Sequence, residues 1–156
     1  MTQSTNSLEV RGVLLPLQGG QLLLPNATVN EVVGFRDPTP VDSNDTDWLL
    51  GTFDWRQQKV PIVAFEKLLG LPKDETGHRA RIAICNTLNG NARCPYIGIL
   101  LRSIPHLTRL TEELIAPLGE LGDAGPMVAR QVRLNGQEAW IPDLDALEQA
   151  VLDIIN

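Results

Sequence analysis

Histidine and cysteine, which often serve as catalytic bases, nucleophiles and transition-metal ligands, are few in this sequence and scattered along it. The two histidines, His78 and His106, have no carboxylate or cysteine at the spacing of a metal site or a catalytic pair. We expect both histidines to be loop or surface residues. The two cysteines, Cys85 and Cys94, are expected to be buried thiols in a reducing compartment, with a disulfide across a hairpin as the alternative.

An acidic stretch from Asp42 to Asp47 resembles the beginning of a calcium-binding loop. The sixth position of such a loop must be glycine and is Asp47 here, and the twelfth must be a bidentate glutamate and is Phe53. Motifs of phosphate-binding loops, dinucleotide-binding folds, nucleophile elbows and zinc proteases are also absent from the sequence. We therefore predict a solvated acidic loop, no catalytic activity, no metal and no cofactor.

The remaining candidate chemistry lies at a polar hairpin tip. Two apolar runs within 53–65 flank the tip Arg56-Gln57-Gln58-Lys59, which contains no glycine, whereas a simple turn more often uses Asn-Gly or Asp-Gly. The tip therefore raises the question of whether Arg56 is presented to a partner or only solvates a turn. Aromatic residues nearby and elsewhere could line a ligand cleft, but barrel cores use them routinely. We expect core positions for at least two of the three tryptophans, Trp48, Trp55 and Trp140.

Composition and charge exclude several classes of partner. The chain is 43% hydrophobic and 21% charged, which suits one globular domain over residues 1–156, with 1–7 as a disordered tail. A net charge of −6 with no run of basic residues argues against nucleic acid. The start lacks a signal-peptide pattern, and no apolar stretch reaches the roughly 20 residues that a membrane span needs. We therefore expect a cytoplasmic protein that is not inserted in a membrane.

Strand patterns dominate the chain. From Leu49 to Arg56 the apolar side chains alternate, which indicates a half-buried strand. In the return strand Pro61 cannot donate to a ladder, so this strand should be an edge strand or carry a bulge there. The predicted strands are 8–17, 21–24, 49–56, 59–63, 79–86, 95–103, 127–134 and 137–141. The predicted helices are 26–34 (with a capping box from Thr28 to Glu31), 65–69, 106–116 and 143–155. A mainly β, barrel-type fold follows.

The order of these segments resembles the CheW-like family of chemotaxis coupling proteins over residues 8–155. The segments that carry the resemblance are Gly-Gly-Gln (19–21) returning into Leu-Pro (24–25), Val-x-Glu-Val-Val (29–33), Trp-Leu-Leu-Gly-Thr-Phe-Asp-Trp-Arg (48–56), Val-Pro-Ile-Val (60–63), Leu-Leu-Gly-Leu (68–71), Tyr-Ile-Gly-Ile-Leu-Leu (96–101) and Asn-Gly (135–136) followed by Pro-Asp-Leu-Asp-Ala-Leu (142–147). The most specific stretch is 51–63, which matches the family pattern at Gly51, Arg56, Val60 and Pro61.

The resemblance implies two small SH3-like β-barrels that share a core, with short helices and a C-terminal helix. It also implies a non-catalytic adaptor with two partners, the cytoplasmic tip of a chemoreceptor and the regulatory domain of a CheA-type histidine kinase, acting at membrane-associated receptor arrays. Glu31, Gly51, Arg56 and Gly98 match positions that the family uses at or beside these interfaces. The resemblance further places Arg56 next to Glu31.

Three departures from the family pattern point to a divergent member. The glycine after the arginine is Gln57 here, the strand-end aspartate is Ala64, and a Val-Asp pair is replaced by Leu101-Arg102. These departures suggest the ChpC-type branch, which serves a chemosensory system for twitching motility by type IV pili.

Two further questions stay open at the level of the sequence. A small-ligand-binding β-barrel sensor that uses the tryptophans is the alternative to the adaptor. Val60 and Ile62, on the strand with Pro61, either form an exposed apolar patch for a partner or fill the barrel.

Overall fold

The computed structural model of the chain describes residues 10–41, 47–70, 77, 79–90, 92–110, 115–117, 127–134 and 137–155. Several predicted features lie outside these residues: the tail at 1–7, most of the acidic loop, residues 111–114 of a predicted helix, the Asn135-Gly136 pair and His78.

Eleven strands and two helices make up the described fold. In chain order the strands are β1 (Val10–Leu17), β2 (Gly20–Pro25), β3 (Val29–Gly34), β4 (Leu49–Trp55), β5 (Gln58–Val63), β6 (Arg81–Asn86), β7 (Tyr96–Leu101), β8 (His106–Leu110), β9 (Ile115–Pro117), β10 (Val128–Leu134) and β11 (Gln137–Pro142). The helices are α1 (Phe65–Leu68) and α2 (Leu144–Ile155). The first sheet has the order β8-β1-β2-β11-β10-β9 and the second has the order β3-β6-β7-β5-β4. The predicted mainly β class with a C-terminal helix is confirmed.

Both sheets and helix α2 contribute to one shared core. Its fully buried members include Leu15 and Leu22 from the first sheet, Ile99 from the second and Leu147 from α2. Among the described residues, the opposite faces of the strands pack into smaller clusters, one on the first sheet and two on the second. Because many strands are buried on both faces, their sequences are nearly continuous apolar runs, such as QLLLP in β2 and YIGILL in β7.

The β4–β5 hairpin carries the tip that the sequence singled out. Side chains of β4 alternate between buried and more exposed, as predicted, with Phe53 and Trp55 buried. Only two residues connect the strands, Arg56 at φ 47° and Gln57 at φ 64°. Positive φ at both central residues is the signature of a type I′ turn, which usually contains glycine or asparagine. The predicted strands 49–56 and 59–63 left Gln57 and Gln58 between them, so the observed turn is shifted by one residue toward the N-terminus.

The prediction that β5 is an edge strand is wrong. β5 pairs with β4 on one side and, from Ile62 onward, with β7 on the other. Pro61 is accommodated because its partner Thr52 bonds through both backbone groups to Thr39 on the far side, so Thr52 and Pro61 form a non-hydrogen-bonded pair of the ladder. The irregularity of this ladder lies on β4, between Leu49 and Gly51, instead of at Pro61.

Two predicted helices are strands instead. Residues 26–34 contain a single 3₁₀ turn, Asn26–Thr28, followed by β3, which pairs with β6. The capping box is therefore absent, and Val29, Val32 and Val33 adopt the extended conformation that β-branched residues favour. Of the predicted helix at 106–116, the described residues form β8, which pairs with β1, and the beginning of β9 at 115–117. In both places long-range ladders outweigh a local helical pattern.

Candidate functional site

Side chains close the gap between β3 and β4, the two edge strands of the second sheet. We call this closure the β3–β4 seam and define it by five residues, Glu31, Arg36, Asp54, Trp55 and Arg56. No backbone ladder pairs β3 with β4 in the described part of the chain. Hydrogen bonds made by side chains and the contact of Arg36 with Phe53 link the two edge strands here.

A single carboxylate oxygen organises one end of the seam. Glu31 Oε1 accepts hydrogen bonds from Trp55 Nε1 at 3.0 Å and from Arg56 Nη2 at 3.1 Å. The predicted proximity of Arg56 to Glu31 is confirmed. The pair is open to solvent, since the Arg56 side chain is 65% exposed and that of Glu31 is 41% exposed.

Aromatic rings form the support beneath Arg56. The Arg56 guanidinium carbon lies 4.6 Å from the centre of the Trp55 ring, within the range of a cation–π interaction. Trp55 is only 6% exposed and meets Tyr96 edge to face, with ring centres 4.9 Å apart. The guanidinium is thus held from below by a buried indole and from the side by Glu31, while its outer face meets solvent.

The other end of the seam repeats this arrangement with Arg36. Its guanidinium carbon lies 4.3 Å from the centre of the Phe53 ring, and its Nη2 donates to the backbone oxygen of Asp54 at 3.0 Å. Arg36 therefore satisfies a carbonyl on the outer edge of β4, just beyond the Thr39–Thr52 bridge. Arg36 was not predicted from the sequence, because neither the motifs nor the family resemblance includes it.

The two glycines singled out by the resemblance have direct packing explanations. Gly51 has φ 142°, and a Cβ there would collide with the backbone of Thr39. A Cβ at Gly98 would lie 2.6 Å from Ile62 Cδ1 and 2.9 Å from Ile82 Cγ2. Both positions therefore need glycine for the fold of the second sheet.

The structure supports the core interpretation for Val60 and Ile62. Both side chains are fully buried, in the cluster that also contains Phe53 and Trp55. Neither offers exposed surface to a partner. Trp55 is buried as well, and Trp48 and Trp140 pack against the shared core, in line with the expected core positions of the tryptophans.

An open groove lies beside the hairpin, on the side of Lys59 and Pro61. It has a volume of about 460 Å³ and is lined by Thr39, Pro40, Val41, Thr52, Lys59, Pro61, Arg93, Ile154 and Ile155. No tryptophan is among these described lining residues. The groove is amphipathic, because its lining combines the cationic Lys59 and Arg93 with apolar residues such as Ile154 and Ile155.

Large apolar side chains that are exposed in the described part of the chain are Leu88, Ile104 and Leu107, of which Leu107 lies on edge strand β8.

Sequence reasoning missed two buried carboxylates. Glu66, 1% exposed, pairs with Arg102 and accepts a hydrogen bond from the backbone N–H of Gln18 at 2.6 Å, so it links α1, the end of β7 and the β1–β2 turn. Glu148 of α2, 2% exposed, accepts from Asn89 Nδ2 at 3.2 Å. In the sequence both glutamates fit the polar face of an amphipathic helix, so their burial is evident only from the three-dimensional contacts.

The two cysteines are free thiols, as expected. Burial raises the pKa of Cys85 to about 12, and burial together with the nearby Glu148 carboxylate raises the pKa of Cys94 to about 11. Both thiols are therefore protonated at neutral pH and are poor nucleophiles. Among the described residues no cluster of three or more His, Cys, Asp or Glu could hold a metal, and no helix there is long and apolar enough to cross a membrane.

Comparison with known proteins places this fold in a family. The family model for the CheW-like domain matches residues 11–151. The structure is similar to the crystal structure of the scaffolding protein TtCheW from Thermoanaerobacter tengcongensis, with a TM-score of 0.72 and 18% sequence identity over 86% of this chain and 84% of that one. None of the curated proteins matches the sequence. Since the family model spans most of the chain and the fold agrees with it, this chain belongs to the CheW-like domain family.

Proposed function

We propose that the protein is a non-catalytic adaptor that couples chemoreceptors to a CheA-type histidine kinase in chemotaxis-type signalling. Membership of the CheW-like family supports this proposal, as does the likeness to a protein described as a scaffold.

One observation carries the proposal: Arg56 is exposed and yet held in one orientation. An exposed ion pair of this kind contributes only about 0–1 kcal/mol to the free energy of unfolding. Glu31 and Trp55 nevertheless fix the guanidinium on a turn with two positive φ values, an unfavourable backbone for non-glycine residues. A fixed planar fork of donors is well suited to bind carboxylates or carbonyls of a partner.

An adaptor also needs a second surface that is separate from the first. The groove beside the hairpin meets this need, because it lies along Thr52, Lys59 and Pro61 while the seam ends at Arg56. The two surfaces share strand β4 but none of their defining residues. The receptor and the kinase would then each bind one surface.

At a finer level we propose a cytoplasmic member at receptor arrays, of the ChpC-type branch that controls twitching motility by type IV pili. Three departures from the family pattern support this divergence. Gln57 occupies a positive φ where glycine would be relaxed, Ala64 is fully buried, and Arg102 pairs with the buried Glu66.

Co-purification with both candidate partners tests the proposal. The full chain is mixed with the kinase regulatory domain and with the cytoplasmic receptor fragment of its own system, singly and together, and separated by size-exclusion chromatography. We expect the chain to form a complex with each partner alone. The kinase domain and the receptor fragment should elute together only when the chain is present. Absence of binding to both partners would reject the adaptor function.

A small-ligand sensor is the second candidate, favoured by the groove alone. Its volume of about 460 Å³ falls in the range of small-molecule sites, roughly 300–1,000 Å³. Thermal-shift measurements against a metabolite panel distinguish this function from the adaptor. The comparison variant is Ile154→Asp, which places a charge among the apolar residues that line the groove. A metabolite that stabilises the wild-type chain but not the variant would support the sensor.

A further inference from the structure

We infer that Arg36 and Arg56 together bind an extended, carboxylate-bearing segment of a partner protein. This inference deepens the proposed function, on which it rests, because it names the chemistry that one partner presents at the seam. We call the two arginines and their aromatic supports, Phe53 and Trp55, the arginine platform.

The two arginines are supported in the same way along one strand. Arg36 stacks on Phe53 at 4.3 Å and Arg56 stacks on Trp55 at 4.6 Å. Phe53 and Trp55 are two residues apart on β4 and belong to the same buried cluster, so they lie on the same face of the strand. At a rise of about 3.4 Å per residue, the two supports are about 7 Å apart.

Each guanidinium keeps donors available for a partner. A guanidinium has five N–H donors, and in each arginine the bond to the described chain uses Nη2 alone. Arg36 and Arg56 are both exposed, and neither makes further ion pairs within the described part of the chain. The ring contact and the hydrogen bond restrict each guanidinium before any partner arrives, which lowers the entropy lost on binding.

The spacing and the surrounding charge favour carboxylates over a polyanion. Alternate side chains of an extended segment lie about 7 Å apart on one face, the same spacing as the two aromatic supports. The Glu31 carboxylate lies beside Arg56 on the platform, and the chain carries a net charge of −6. A densely charged nucleic acid or anionic membrane would be repelled by these groups, whereas two single carboxylates can each meet one arginine.

A purely structural role for Arg36 is the competing explanation. Its bond to the Asp54 carbonyl satisfies the edge of β4, which protects that edge from pairing with another chain. In that case Arg36→Gln would change stability or aggregation without changing recognition of carboxylates. The two roles therefore predict different results in a binding measurement.

The direct test uses two short synthetic peptides, one alternating Thr and Glu and one alternating Thr and Gln, with the full chain. Arginine Nε–H and tryptophan Nε1–H signals are followed by NMR. We expect the Glu peptide to shift the Arg36, Arg56 and Trp55 signals saturably and more weakly at high salt, and the Gln peptide to shift none of them. Arg36→Gln and Arg56→Gln should each weaken the Glu peptide about tenfold.

Arg133 provides the control, because it is an exposed arginine paired with a glutamate, Glu138, at 3.7 Å. The Arg133→Gln variant should bind the Glu peptide like the wild-type chain. The inference is overturned if the Glu peptide shifts the Arg133 signal as much as those of the platform, if it shifts none of them, or if phosphatidylglycerol vesicles act at the platform in its place.

A second measurement separates this inference from the proposed function. Binding of the kinase regulatory domain and of the receptor fragment is compared for wild type, Arg36→Gln and Arg133→Gln. A selective loss of about tenfold for one partner in Arg36→Gln supports the inference. If Arg36→Gln binds both partners with wild-type affinity, the inference is contradicted and the adaptor function is not affected. If the wild-type chain binds neither partner, the adaptor function is rejected, and the inference is then judged by the peptide result alone.

Discussion

Arg56 and Glu31 are 25 residues apart in the sequence and meet at 3.1 Å across the β3–β4 seam. The same Glu31 oxygen also accepts the indole N–H of Trp55, on which the Arg56 guanidinium lies. One carboxylate thus fixes both the charged group and its aromatic support. This relationship makes the hairpin tip a fixed surface feature with defined donor directions.

Gln57→Gly is expected to stabilise the chain. Gln57 has φ 64°, and this left-handed conformation costs free energy in any residue with a Cβ but not in glycine. Glycine in turn loses more backbone entropy on folding. We expect a net gain of about 1 kcal/mol in the free energy of unfolding, measured by urea denaturation. Gln58→Gly, in the extended strand β5, is the control and should lose about 0.5–1 kcal/mol. A loss of stability in Gln57→Gly would show that the side chain compensates for its backbone.

Gly98→Ala is expected to overpack the core of the second sheet. The new Cβ would lie 2.6 Å from Ile62 Cδ1, and overpacking of this kind costs about 1–3 kcal/mol. Ile62→Val removes that Cδ1, so the double variant should be more stable than the sum of the two single losses predicts. Gly34→Ala, where a Cβ would meet no atom within 4 Å, is the control and should change stability by less than about 0.5 kcal/mol. Strict additivity would contradict the proposed clash.

Arg102→Met is expected to destabilise the chain strongly. It would leave the Glu66 carboxylate, 1% exposed, without its cationic partner, and breaking a buried pair in this way costs about 3–5 kcal/mol. Adding Glu66→Leu removes the stranded charge, so the double variant should recover part of the loss, even though the Gln18 N–H then loses its acceptor. Thermal and urea unfolding of the four proteins complete the cycle. Equal stability of Arg102→Met and wild type would contradict a structural pair.

Alkaline pH is expected to destabilise the fold through Cys85. Burial raises the pKa of this thiol from an ordinary value of 9.0 to about 12, so the folded chain keeps a proton that the unfolded chain releases. The contribution of Cys85 is therefore constant below about pH 9 and is lost as the pH rises from about 9 to 12. The Cys85→Ala variant should lose stability less steeply over that range. Rapid reaction of both thiols with a disulfide reagent in the native chain at pH 7.5 would contradict their burial.

The sequence predicted the fold best where local pattern and long-range pairing agree. Alternation in β4, the apolar runs of β2 and β7, and the amphipathic helix α2 were all predicted in their observed places. Residues 26–34 were predicted as a helix from the capping-box pattern at Thr28–Glu31, and residues 106–116 from their helical apolar spacing. Ladders with β6 and β1 decide those segments, and such partners cannot be found from a local window.

The candidate site was predictable only in part, for a related reason. The proximity of Arg56 and Glu31 came from the family resemblance, since spacing along the chain says nothing about contact across a seam. The burial of Val60 and Ile62 was left open because β5 could have been an edge strand, and its pairing with β7 resolves the question. Arg36 was not predicted because its contacts with the Phe53 ring and the Asp54 carbonyl join residues whose proximity is not evident from the sequence.

The most direct test of the central claim, that the hairpin tip serves binding more than folding, compares Arg56→Glu with Arg133→Glu. Both arginines are exposed and paired with a glutamate, with exposures of 65% and 53%. Calorimetric titration with the receptor fragment and the kinase regulatory domain, alongside melting curves, gives both quantities. We expect Arg56→Glu to weaken binding of at least one partner tenfold or more, by about 1.4 kcal/mol, and to melt close to Arg133→Glu, which should bind like wild type. An Arg56→Glu chain that binds both partners as tightly as wild type would show that the hairpin tip is only a turn.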